Sequence, residues 1–217
     1  MATSAVPLRR RAMVESLKQG GIEDVRVLTA FAAVPREAFV PPALVHQAYD
    51  DFALEIGDGQ TISQPSVVAR ITDLAQVGAR DRVLEIGAGS GYQAAILAEL
   101  ARFVFALERI GRLAEGARER LARLGYRNVS VQVMDGSLGW RAQAPFDAIV
   151  VSAAAPAVPR ALVEQLVDGG RLVVPVGDVR RQELVKVVRR GDGTEETRCG
   201  PAGFVPLVGR LGFPSAG

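Results

Sequence analysis

The chain has 217 residues, 48% apolar and 23% charged, with a formal net charge of only +2. That is length enough for one domain with a substantial core, and basic residues interspersed with acids leave no electrostatic footprint of a nucleic-acid binder. A single cysteine (Cys199) and a single histidine (His46) exclude an internal disulfide framework and a zinc site of the usual Cys/His type; no apolar run nears the ~20 residues of a membrane span.

Residues 1–12 carry Thr3, Ser4, Pro7 and three consecutive arginines, without the apolar stretch of a signal peptide, so the expected setting is cytoplasmic, with no metal, membrane or nucleic-acid partner. Residues 6–33 read as two short helices. Met13, Val14 and Leu17 fall at helical spacing, Gly20-Gly21 stops the first helix, and Asp24 is placed to cap the second. The prolines of Val34-Pro35-Arg36-Glu37-Ala38-Phe39-Val40-Pro41-Pro42 impose an irregular path. One more helical turn is expected at Leu44–Ala48.

Residues 50–65 form an irregular stretch, with Asp58 between two glycines and a polar Gln60-Thr61-Ile62-Ser63-Gln64 run before Pro65. Val67, Val68, Ile71, Leu74 and Val77 then recur at helical spacing. A helix therefore starts near Ser63–Pro65, with Ser63 a candidate N-cap, Pro65 in the first turn and Gly78 as its end. Free N–H groups and a partial positive charge at a helix start suit a carboxylate ligand. Local sequence leaves Ser63 open between a cap and a reacting position.

Arg82-Val83-Leu84-Glu85-Ile86-Gly87-Ala88-Gly89-Ser90-Gly91-Tyr92 is the stretch that organises the rest. A buried strand with one acid in it leads into a glycine turn, and Gln93–Ala101 reads as a helix with Ala95, Ile96, Leu97 and Leu100 on its buried face. The spacing is G-x-G-x-G, with Tyr92 where the third glycine of a dinucleotide fingerprint would fall, and no Lys-Ser or Lys-Thr of a P-loop follows. This turn resembles the first motif of class I S-adenosylmethionine (SAM) methyltransferases. Phe103–Leu107 is a second strand, ending at Glu108, 23 positions after Glu85. In Rossmann-like sites an acid near that distance takes the ribose hydroxyls. Gly111–Leu124 is an amphipathic helix whose charges read as a solvated face with i,i+4 pairs.

Val129–Met134 alternates like a third strand, and Asp135-Gly136 after it is either an ordinary turn or, as in methyltransferases, the border of the adenine site. Phe146–Val151 is a fourth strand tipped by Ser152-Ala153-Ala154-Ala155-Pro156. Pro159–Val167 reads as a helix stopped by Gly169-Gly170, and Arg171–Val176 as a fifth strand. Gln182–Arg190 and Glu195–Cys199 flank Gly191-Asp192-Gly193 as a hairpin. Gly203–Val208 closes the pattern, and these late strands are expected to pair antiparallel. Gly87, Glu108, Asp135 and Ser152 all fall at carboxyl ends of strands, where open α/β sheets bind ligands. No G-x-S-x-G elbow is present, so His46 reads as structural or surface.

The chain as a whole resembles the protein-L-isoaspartate (D-aspartate) O-methyltransferase family. The resemblance is carried by Val34-Pro35-Arg36 with Phe39-Val40, Tyr49-Asp50, Gly59–Pro65, Val83–Tyr92, Asp135-Gly136 with Gly139-Trp140, Ala144–Ile149 with Ala153-Ala154, Gly170–Gly177 and Phe204–Leu207. The Gln60–Pro65 stretch is the most specific of these. The resemblance implies a Rossmann-like α/β fold of class I SAM-dependent methyltransferases: a mostly parallel seven-stranded sheet with antiparallel C-terminal strands and an N-terminal helical extension. Residues 1–78 would form the extension and substrate-binding segment, and 79–217 the SAM-binding core, as a single domain overall. The implied reaction is methyl transfer from SAM to the α-carboxyl of L-isoaspartyl residues in damaged proteins and peptides.

By the same resemblance Ser63 is the catalytic position. Thr61, Ile62, Glu85, Gly87, Ala88, Gly89, Ser90, Gly91, Glu108, Arg109, Asp135 and Gly136 would bind the cofactor. Gln60, Ser63, Ser152, Val205, Pro206, Leu207 and Val208 would line the substrate groove. Ser66, Val67 and Val208 depart from the residues common in relatives. The chemistry suits the residues present: a carboxylate nucleophile is already ionised near neutral pH and needs no general base, so placement of the acceptor carries catalysis. The Ser63 hydroxyl and helix-start N–H groups are the expected means of orienting it. The strand-four tip lacks the Asn/Asp-Pro-Pro-Tyr-like motif of amino-group methyltransferases. The alternatives are another SAM enzyme acting on a small-molecule acid or an amine, and an inactive module of the same fold.

Overall fold

A computed structural model describes residues 5–178 and 180–214. Helices α1 (Ala5–Gln19) and α2 (Val25–Ala33) open the chain, and Asp24 caps α2 as expected, accepting from the Arg26 N–H at 2.8 Å. Two 3₁₀ segments follow, Arg36–Phe39 and Pro42–Gln47. The irregular stretch then resolves into an antiparallel ribbon, β1 (Leu54–Gly57) with β2 (Gln60–Ile62). Strands of four and three residues are too short to show a period, so alternation could not reveal them.

Helix α3 (Pro65–Ala75) has Pro65 at its first position, but its N-cap is Gln64 and not Ser63. The reason lies outside the local sequence. Asp51 Oδ1 accepts from the Ser66 N–H at 2.9 Å, and the Gln64 carbonyl takes the Val67 N–H at 3.2 Å. Pro65 has no N–H. The first turn is thus satisfied internally, and the expectation that its N–H groups hold a substrate carboxylate does not stand. The helix also ends before Gly78, at Gln76 in the left-handed region (φ 48°).

The central sheet contains β3 (Arg82–Ile86), β4 (Phe103–Glu108), β5 (Val129–Val133), β6 (Phe146–Val151), β7 (Leu166–Gly177), β8 (Gln182–Arg190) and β9 (Gly193–Ala202), in the order β5-β4-β3-β6-β7-β8-β9. Strands β5 to β7 in that order are parallel; β8 and β9 are antiparallel to their neighbours. This is the mostly parallel seven-stranded sheet the sequence implies. Between β3 and β4 run the glycine turn and α4 (Tyr92–Leu100), and α5 (Gly111–Arg123) links β4 to β5.

Strand residues alternate between two buried clusters. Val83, Val104, Ala106, Ala148 and Val150 face one that also holds apolar side chains of α1 to α5; Leu84, Phe105, Leu107, Ile149 and Val151 face the other. Burying an aliphatic side chain contributes about 1.5–3 kcal/mol, so two apolar faces lock each strand's register. Helix α4 lies between sheet and α2 and is buried almost all round, beyond the one face expected of it. The charges of α5 do not pair along the helix: Arg112 reaches Asp58, Arg118 the Val131 carbonyl and Arg120 the Ser90 carbonyl.

The second face is thinly covered. Its helix α6 is a single turn, Arg160–Val163, instead of the span Pro159–Val167. The Gln165 carbonyl accepts from the Phe146 N–H at 2.9 Å, and its side chain bonds Trp140 N–H and the carbonyls of Leu138 and Ala161. This commits the chain to the sheet by Leu166, so Gly169-Gly170 are an irregularity within β7 and not a helix stop. Residues 203–208 also differ from expectation. They form no antiparallel strand but two isolated parallel bridges, Val208 to Phe213 and Pro206 to Ala154, the latter flanked by Ala154 N–H to Val205 and Leu207 N–H to Ala154, each 2.8 Å. Pro206 has no N–H with which to extend a ladder.

Candidate active site

The sheet order reverses at β3: β4 lies on one side and β6 on the other, so a crevice opens at their carboxyl ends. The glycine turn forms its floor. Gly87 and Ala88 N–H groups both donate to the Leu107 carbonyl, at 2.9 and 3.0 Å, which fastens the turn to β4. Gly89 is left-handed (φ 52°), and a Cβ there would stand 3.3 Å from Ile56 of the ribbon. The Glu108 carboxylate completes the fastening. One oxygen accepts from Gly89 N–H at 2.9 Å and the other from Ile110 N–H at 2.8 Å. Each keeps a lone pair for a further donor.

Glu85 differs. It is fully buried and neither carboxylate oxygen has a hydrogen-bond partner. Burial, and then the nearby charge of Glu108, push its pKa up to about 8. An orphaned buried carboxylate costs several kcal/mol unless a cation or donor completes it. Here it borders a chamber, where an ammonium group would supply that partner.

Two chambers meet at the turn. The larger, about 280 Å³, is lined by Gln60, Thr61, Gly87, Gly89, Glu108, Arg109, Gly136 and Ser152, and by Val205, Pro206, Leu207 and Val208. The smaller, about 40 Å³, is lined by Thr61, Ile62, Ser63, Glu85, Gly87, Ala88, Gly89, Ser90 and Ser152. Thr61, Gly87, Gly89 and Ser152 belong to both walls. Ribbon strand β2 carries Gln60, Thr61 and Ile62 over the crevice, and half-buried Ser63 follows directly. Ser152 is held at the tip of β6 by its N–H to the Ile86 carbonyl, 2.8 Å.

Two sequence-predicted residues lie in neither wall. Gly91 is the N-cap of α4 in the left-handed region (φ 90°), and a Cβ there would meet Ala117 of α5 at 3.2 Å, so it serves helix packing. Asp135 caps the 3₁₀ turn Gly136–Leu138. Its carboxylate accepts from Ser137 N–H (2.9 Å), Ser137 Oγ (2.7 Å) and Arg210 N–H (2.7 Å). Burial raises its pKa, but these hydrogen bonds outweigh that and hold it below the ordinary value. The carboxylate is thus engaged by the chain's own tail, and at this border Gly136 faces the cavity. Sequence reasoning missed Ile86, Leu107 and Ile110 in the larger wall and Tyr92, Gln93 and Phe204 in the smaller. Ile86 and Leu107 were findable as strand-end neighbours of Gly87 and Glu108, and Phe204 as the first residue of the Phe204–Leu207 stretch; Gln93 carried no local signal.

Among the described residues no three His, Cys, Asp or Glu side chains come together as a metal set, and no helix is long and apolar enough to cross a membrane. Comparison with known proteins agrees with the architecture. A protein from Syntrophobacter fumaroxidans named protein-L-isoaspartate O-methyltransferase 1 is 52% identical over 205 residues, 94% of this chain and 96% of that one. One from Methanoculleus marisnigri named protein-L-isoaspartate O-methyltransferase is 51% identical, over 94% and 93%. A solved protein-L-isoaspartate O-methyltransferase superposes with a TM-score of 0.85 at 30% identity, over 94% of this chain and 67% of that one. A Plasmodium falciparum structure titled as a putative protein-L-isoaspartate O-methyltransferase in complex with S-adenosyl-L-homocysteine gives 0.78 at 25% identity, over 92% and 98%. The profile of the family described as protein-L-isoaspartate(D-aspartate) O-methyltransferase matches residues 8–212, and the chain belongs to that family.

Proposed function

We infer that this protein methylates the free α-carboxyl of L-isoaspartyl residues in damaged proteins and peptides, with S-adenosyl-L-methionine as donor. The observation that carries the reading is that two chambers meet at the glycine turn and share Thr61, Gly87, Gly89 and Ser152, with Glu108 and Gly136 lining the larger and Glu85 and Ser63 the smaller. The residues present fit the cofactor: Glu85 is a buried carboxylate without a partner, and Gly89 lines both chambers with no side chain to fill them. Glu85 would take the ammonium, Gly87, Ala88, Gly89 and Ser90 would lie along the methionine part, Glu108 with Arg109 would meet the ribose, and Gly136 the adenine. Thr61 and Ile62 would close over it. Bound SAM supplies a methyl group on a sulfonium, whose departure leaves a neutral thioether.

The chain's own task is placement. An acceptor carboxylate is ionised already, so no side chain has to remove a proton. Ser63 Oγ would donate to one carboxylate oxygen and leave the other free for the methyl carbon. Ser152 and the 205–208 segment would hold the flanking peptide, and the apolar walls would exclude water. In this division residues 1–78 would supply Ser63 and the ribbon strand over the donor, and 79–217 the donor site together with the Ser152 and 205–208 part of the substrate wall. Cytoplasmic action belongs to the same reading, supported by a single cysteine that has no partner for a disulfide.

The test is transfer of labelled methyl from SAM to a peptide with one L-isoaspartyl, beside its normal aspartyl twin. Label is expected in the first peptide alone. Equal labelling of both, or of neither, overturns the assignment.

A further inference from the structure

Arg36 is fully buried in the 3₁₀ segment Arg36–Phe39. Its Nε donates to the Ala48 carbonyl and its Nη2 to the Ser63 carbonyl, each at 2.7 Å. The guanidinium carbon lies 4.7 Å from the centroid of Tyr92, the first residue of α4 after the glycine turn. Nη1 has no hydrogen-bond partner, and among the described residues no carboxylate forms an ion pair with Arg36. A buried cation with no carboxylate in direct contact is costly, and Asp51, which bonds the Ser66 N–H, acts on it only from a distance. Two carbonyls could be tied by neutral donors, so structural bridging alone gives no reason for the charge.

The surroundings supply a reason. The N–H groups that start α3 are occupied by Asp51 and the Gln64 carbonyl, so they offer nothing to an anion beside Ser63. Among the described residues Arg36 is the buried cation bonded to that segment. Charge-assisted bonds to carbonyls are short and orienting, and this one sets the peptide that follows Ser63.

We propose that Arg36 is a positioning residue for methyl transfer: it links the Ser63 peptide to the glycine turn through Tyr92, aims the Ser63 hydroxyl, and provides the positive field that favours an ionised acceptor. The proposal rests on the reading of Ser63 as the residue facing the substrate carboxylate. A methionine in its place would retain bulk and lose both charge and donors. A lysine would retain charge but lose the planar fork that spans two carbonyls.

The experiment compares Arg36→Met, Arg36→Lys and Ser63→Ala by steady-state kinetics on the isoaspartyl peptide and by calorimetric SAM binding. Arg36→Met is expected to lower kcat/KM for the peptide on the order of 100-fold. Arg36→Lys should recover part of this, falling about 10-fold. SAM affinity should stay within about twofold in both, since Arg36 lines neither chamber. Wild-type kcat/KM in the two Arg36 variants overturns the proposal. So does a parallel fall of SAM affinity and turnover, which a merely structural role predicts. If Arg36→Met does not fold, Arg36→Lys decides by the same criteria. Loss of turnover in Ser63→Ala with unaffected Arg36 variants overturns the role of Arg36 alone; wild-type turnover in Ser63→Ala removes the reading of Ser63 and this proposal with it.

Discussion

The floor and the roof of the crevice are built by different rules. In the floor, Glu85, the glycine turn and Glu108 sit at the ends of neighbouring parallel strands, and register fixes them: Glu85 is level with Ala106 on one side and Val150 on the other. In the roof, the β1–β2 ribbon and residues 204–208 stand outside the main sheet. They are held by isolated bridges and side-chain contacts instead of a strand ladder to the main sheet, among them the Asp58–Arg112 ion pair at 2.8 Å, the bridge at Ala154 and the paired Gln182–Phe204 hydrogen bonds. A donor that is the same in every turnover suits a rigid floor, and an acceptor presented by many different proteins suits a roof with few fastenings. The difference teaches where errors would be costly on the proposed assignment: a change in the floor would alter cofactor binding, and a change in the roof would alter aim.

Four substitutions sharpen or break this division. Ser63→Ala carries the largest expected effect, a fall in turnover on the order of 100-fold with SAM affinity unchanged by calorimetry. Weakened SAM binding in that variant would erase the boundary between roof and floor. Glu108→Ala should act the other way. It strips the Gly89 and Ile110 N–H groups of their acceptor, and a buried donor left unpaired costs about 1–3 kcal/mol. SAM affinity is expected to fall by about 10- to 100-fold, and a Kd at the wild-type value would remove Glu108 from the floor.

Glu85→Gln tests the floor through pH. Glu85 is raised from its ordinary value of 4.5 to about 8. Between those values the unfolded chain has released the proton and the folded chain retains it, so the native state binds more protons and stability falls as pH rises. Glutamine carries no such slope. The melting temperature of the variant should therefore gain on wild type steadily from about pH 5 to about pH 8, in the absence of SAM. Parallel profiles would mean that Glu85 is not held neutral. The smallest effect belongs to Asp58→Ala. Its partner Arg112 is largely exposed, and exposed pairs contribute little, so scanning calorimetry should find a shift of no more than about 2 °C. A larger shift would make the ribbon an integral part of the floor.

Much of the floor was legible because its signals are local. Strand Phe146–Val151 reads directly from an apolar run broken only by Asp147, and Glu108 from its distance along a strand-helix-strand unit. The roof was harder to read because its causes are distant in sequence. Nothing near Ser66 announces that Asp51 will take its N–H, and nothing near Asp135 announces that Arg210 will bond it across 75 positions. The sequence around Pro159–Val167 has helical character, but Gln165 is bound by three separate segments, and tertiary pairing overrides propensity there. Ser63 lines the smaller chamber, and the local expectation of it as the N-cap is not met, since Gln64 holds that position.

Only Ser63 and Gln64 separate the end of β2 from the first residue of α3. Such a link has no slack, so its length is as constrained as its composition: one residue inserted between Ile62 and Pro65 would rotate the hydroxyl out of line even if every side chain were retained. The exposed turn at Gly191-Asp192, between β8 and β9, lines neither chamber and is tied to the rest of the fold through the Gly191 N–H to Asp168, 2.7 Å. Extra residues belong there when the chain is engineered to carry a label or a tether.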